Sequence, residues 1–78
     1  MAKKKAEKIL SIPVGNHFNR QDVEIWNDIS SVKSDGPYHV MIKRDNGESI
    51  NLRYKDEERI DMIKAVALAV LGGRNYER

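Results

Sequence analysis

A small α+β fold is what the sequence predicts, with an antiparallel sheet of three to four strands packed on one C-terminal helix. Three observations lead there. Apolar residues alternate with polar ones over 8–14 and again over 38–54, the period of a strand with one buried face. Asp45-Asn46-Gly47 interrupts the second run with the residues of a tight turn. From Asp56 onward the apolar spacing becomes helical.

Leu10, Ile12 and Val14 fall on one face of the first predicted strand. Pro13 has no N–H to give a ladder, so this strand belongs at a sheet edge. Gly15-Asn16-His17 then signals a turn. Residues 20–33 fit two periods. Val23 and Ile25 share a strand face, while Ile25, Ile29 and Val32 share a helix face. The reading taken is a strand ending near Trp26, followed by a helical turn at Asp28–Ser31. Asp35-Gly36-Pro37 closes that element.

The hairpin over residues 38–54 has one register that satisfies both strands. A three-residue loop, Asp45-Asn46-Gly47, pairs Ile42 with Ile50, Val40 with Leu52 and Tyr38 with Tyr54. It also sets Arg44 across from Glu48, and it needs an αL residue that Gly47 supplies. The opposite face carries His39, Met41, Lys43, Ser49, Asn51 and Arg53, with Lys33 and Lys55 expected at its border.

Asp56 is a suitable N-cap for a helix over 56–71, with Glu57 and Glu58 at the positive end of the helix dipole. Ile60, Ile63, Ala67 and Val70 form its core stripe, widened by Met62, Val66 and Ala69. Gly72-Gly73 is expected to stop it. Val66-Ala67-Leu68-Ala69-Val70-Leu71 is apolar on every side of the helix. A lone sheet covers only one side. Val66, Leu68, Ala69 and Leu71 are therefore the candidate self-association residues, and a homodimer is the expected assembly.

Composition narrows the function. The 78 residues make one expected domain over 8–73, between a basic tail at 1–7 and a short charged tail at 74–78. Absence of cysteine removes disulfides, thiolate metal sites and a cysteine nucleophile. Net charge is +2, but residues 1–8 carry +3 and residues 74–78 carry +1, which leaves −2 on the body. A high overall pI is then weak support for nucleic-acid binding. No run approaches the roughly 18 apolar residues of a membrane span. Lys3-Lys4-Lys5 resembles the start of a secretion signal, but Glu7, Lys8 and Pro13 break any apolar stretch behind it. A cytoplasmic location without membrane attachment is expected.

Chemistry-bearing patterns are sparse. His17 and Asp22 lack the further ligands that zinc takes. The serines have no nucleophile-elbow context, and the glycines form no phosphate loop. No metal, no cofactor and no catalytic residue is predicted. Trp26, His39, Lys43 and Arg53 are the candidate contact residues for a partner or ligand. Over residues 29–71 the order strand, hairpin and helix resembles the end of pleckstrin-homology-like domains. That resemblance rests on no motif, and no site residue is carried over from it.

The expected role is that of a small non-catalytic interaction or regulatory protein, self-associating and acting on another macromolecule. The sequence does not name that protein partner. Chains this short and motif-poor are typical of phage and mobile-element accessory proteins. Two alternatives are a nucleic-acid-binding module using the basic tail and the Lys43/Arg53 face, and a sequestering protein for a nucleotide or metabolite.

Overall fold

A computed structural model of the chain describes residues 6–76, and the side chains of 6–74. Five strands precede one helix: β1 (Lys8–Gly15), β2 (Arg20–Trp26), β3 (Ile29–Lys33), β4 (His39–Arg44), β5 (Ser49–Arg53) and α1 (Glu57–Tyr76). The fold is α+β, with its antiparallel strands in two sheets. One is the β1–β2 hairpin, and the other has the order β3-β4-β5.

Two details depart from the sequence reading. Residues 28–31 are not a helical turn. Asn27 and Asp28 make a tight turn, and Ile29 starts β3 at once. The helical spacing of Ile25, Ile29 and Val32 came from two strands joined by a short turn. Leu10 was expected in the core; it keeps the register of Ile12 and Val14 but is 38% exposed. Ile12, Val14, Val23 and Ile25 are the buried residues of this hairpin. Pro13 sits in β1, a strand with a neighbour on one side only.

The β4–β5 register is the expected one: Ile42 faces Ile50 and Val40 faces Leu52. Arg44 N–H donates to the Glu48 carbonyl at 2.8 Å, and Tyr54 N–H to the Tyr38 carbonyl at 2.9 Å. Gly47 takes φ +92°, which an L side chain rarely adopts. Gly15 is more constrained still. Besides φ +107°, a Cβ there would lie 2.1 Å from the Asn19 carbonyl oxygen.

The core joins Ile29, Val40, Ile42 and Leu52 of the three-stranded sheet to Ile60, Ile63 and Ala67 of α1. Asp56 caps the helix, its Oδ1 accepting from Arg59 N–H at 3.2 Å. The expected stop at Gly72-Gly73 does not occur. Neither glycine has positive φ, and the helix runs on to Tyr76. Continuing brings Arg74 onto the Ile29 carbonyl oxygen at 2.7 Å and onto the Asp45 carboxylate. That anchorage holds the last turn where the glycines alone would not. No helix is long and apolar enough to cross a membrane among the described residues.

Candidate functional site

Three regions hold the residues singled out from sequence. The first is the outer face of α1. Because α1 lies on β3 and β4, its Ile60, Ile63 and Ala67 stripe faces inward. Val66, Val70 and Leu71 flank that stripe, half-buried against the core. Leu68 points the other way and is 51% exposed, and Ala69 is exposed beside it. The four predicted self-association residues therefore divide, two toward the core and two toward solvent. Met62, expected to widen the core stripe, is instead 40% exposed, and Ala69 likewise leaves it. Ala65, Gly72 and Gly73 complete the outer face. From Met62 to Gly73, every residue on it is apolar or lacks a side chain. Intrachain packing does not require the two glycines, since a Cβ at either would meet nothing within 4 Å.

The second region is the sheet face turned away from α1. The register places Ser31 and Lys33 of β3, His39, Met41 and Lys43 of β4, and Ser49, Asn51 and Arg53 of β5 on it. Lys33, Lys43 and Arg53 are exposed. His39 was expected to be a surface residue, but it is only 7% exposed. The turn after β3 folds over it: Asp35 N–H donates to Nδ1 at 2.8 Å. With Nδ1 accepting, the ring proton sits on Nε2, which donates to Asn51 Oδ1 at 2.6 Å. Both nitrogens are engaged, so the ring is a structural peg for the 34–38 turn. Lys55, expected at the border, is exposed and lines an open groove of about 560 Å³ with Tyr38 and the acidic start of α1.

The third region surrounds Trp26. Its ring is half-buried, with the Arg44 guanidinium carbon 4.1 Å from the ring centroid. Arg44 Nε donates to Asp28 Oδ1 at 2.8 Å, and Nη1 to Glu48 Oε1 at 3.3 Å. The Asp28 hydrogen bond, helped by the charges of Asp28, Glu48 and Glu24, outweighs partial burial and raises the Arg44 pKa. A cavity of about 100 Å³ lies between Trp26, Glu24, Arg44 and Ile50. Small-molecule sites usually occupy roughly 300–1,000 Å³.

Phe18 is a surface feature that sequence reasoning passed over. It is 88% exposed at the tip of the β1–β2 hairpin, its ring 4.4 Å from that of His17. A lone aromatic inside the polar turn 16–20 was the available signal. Lys3, Lys4 and Lys5 lie outside the described residues. Among the described residues, no group of three His, Asp or Glu side chains could hold a metal, and no buried side-chain polar atom lacks a partner.

Compared with known proteins, the chain matches no family model, no curated protein and no solved structure.

Proposed function

We propose that this chain is a small non-catalytic binding protein that self-associates through the outer face of α1. The observation that carries this reading is Leu68, 51% exposed midway along a helix, with Met62 40% exposed on the same side. Around them the face is built from Ala65, Ala69, Gly72 and Gly73, so a second backbone can approach closely. Glycine inside a helix costs about 1 kcal/mol relative to alanine. Neither backbone geometry nor intrachain contact asks for it here.

A two-fold antiparallel pair suits the pattern. With the two-fold axis at the level of Ala67 along the helix, on the opposite, outward side, Met62 of one copy lies over Gly72 of the other, and Ala65 over Ala69. Bulk meets gap on both sides of the axis, as an isologous contact requires. The proposed setting is the cytoplasm, in a regulatory or accessory role.

Sedimentation velocity tests the assembly. A dimer is expected at high micromolar concentration, and Leu68→Glu is expected to give a monomer with unchanged helical circular dichroism. A wild-type chain that stays monomeric there overturns the reading.

A further inference from the structure

We propose that the sheet face opposite α1 binds the phosphate backbone of nucleic acid through Lys33, Lys43 and Arg53, without reading base sequence. The surface is distinct from the helix face, so the two assignments stand or fall separately.

Charge segregation carries the proposal. Residues 9–73 have a net charge of −2, yet β3, β4 and β5 contain no Asp or Glu. Their carboxylates have been moved to the turns, to the β1–β2 hairpin and to the start of α1. Of the four cations on these strands, Arg44 lies on the core side, tied to Asp28. The other three project from the outer face, one from each strand. Arg53 meets Asp35 at 3.4 Å, both side chains well exposed, an ion pair that water and salt weaken. Among the described residues, Lys33 and Lys43 have no ion-pair partner. A surface shaped only for solubility would mix both signs.

Geometry suits a polyanionic strand. Lys43 pairs with Ser49 and Arg53 with His39, so the two cations are four residues apart along the ladder. That is roughly 13 Å along the strands, and Lys33 lies roughly 10 Å across from the β5 side. Ser31, Ser49 and Asn51 add hydrogen-bonding groups between them. No aromatic ring stands on the face, since Tyr38 and Tyr54 belong to the other side. Base stacking is therefore not part of the contact.

The test is fluorescence anisotropy with a short labelled DNA duplex, using the full chain with Lys3, Lys4 and Lys5 changed to Gln to remove their contribution. Three phosphate contacts predict a log–log salt slope of about −2.7, hence about 40-fold weaker binding at 200 mM than at 50 mM salt. Lys43→Gln with Arg53→Gln is expected to weaken binding at 50 mM by about tenfold or more and to cut the slope to about −0.9. Lys8→Gln with Arg20→Gln, which removes two charges on the β1–β2 hairpin, is expected to leave the slope unchanged. Equal loss from both pairs overturns the proposal. So does binding that vanishes with the tail lysines alone, or binding to phosphatidylserine vesicles without binding to the duplex.

Discussion

Arg44 joins three parts of the chain that lie apart in sequence. Its guanidinium stacks on Trp26 of β2, pairs with Asp28 in the turn to β3 and reaches Glu48 at the foot of β5. The Arg44 and Asp28 side chains are 13% and 16% exposed, between the limits of surface and buried pairs. Arg44→Met would keep the packing stem but leave Asp28 without its cation. The expected loss is about 2–3 kcal/mol, larger than for an exposed pair and smaller than for a fully buried one. Arg44→Lys retains the charge but neither the fork nor the planar stack, so it should recover only part of this. Urea unfolding followed by fluorescence of Trp26, the single tryptophan, would measure both. The Arg44–Glu48 pairing was legible in the sequence because hairpin register dictates it. Asp28 and Trp26 were not, because their approach depends on how β2 turns into β3. His39 was misjudged for a related reason. Alternation correctly gave its side of the sheet, but not the 34–38 turn that closes over it.

Helix α1 is fastened at both ends by side chains that sequence reading treated unequally. Asp56 was legible as a cap, since an acidic residue followed by Glu57 and Glu58 is a local signal. Asp56→Ala is expected to cost about 1 kcal/mol in thermal unfolding. Arg74 was not legible, because its partners lie 45 and 29 residues upstream. Its guanidinium holds the Asp45 carboxyl below the usual carboxylate range, chiefly through the hydrogen bond between them. A depressed native pKa contributes stability above the unfolded value of about 3.9, and that contribution fades as pH falls through the native value. Asp45→Asn should therefore lower stability at pH 7 by about 0.5–1 kcal/mol, reduced by solvent screening, and should flatten the wild-type loss below about pH 4. Denaturant midpoints at both pH values check this. An equal deficit at pH 7 and at low pH would show that the pair is not the cause.

At the scale of the molecule, helix face and sheet face put opposite demands on the chain. An apolar helix exterior favours association of copies in water, while a cationic sheet exterior keeps copies from stacking on that side. The two glycines on α1 expose this conflict experimentally. Gly72→Ala and Gly73→Ala should each raise the stability of the monomer by about 1 kcal/mol. In the pair proposed above, the added methyl of Gly72→Ala would meet Met62 of the second copy and weaken association. Comparing chemical unfolding of the Leu68→Glu background with sedimentation of the single variants separates the two effects. Association left intact by Gly72→Ala would argue against a close helix crossing. The α+β class and the β4–β5 register were legible because alternation and turn chemistry agree there. The 2+3 division of strands was not, since a two-residue turn and a helical turn leave the same local pattern over 26–31. Pro13 has a final consequence. The β1 rim is open and flanked by Ile9 and Leu10, a ready template for an intruding chain. One missing amide proton interrupts that rim, so Pro13 acts as a guard against fibre growth, and Pro13→Val should hasten thioflavin-positive aggregation on mild heating.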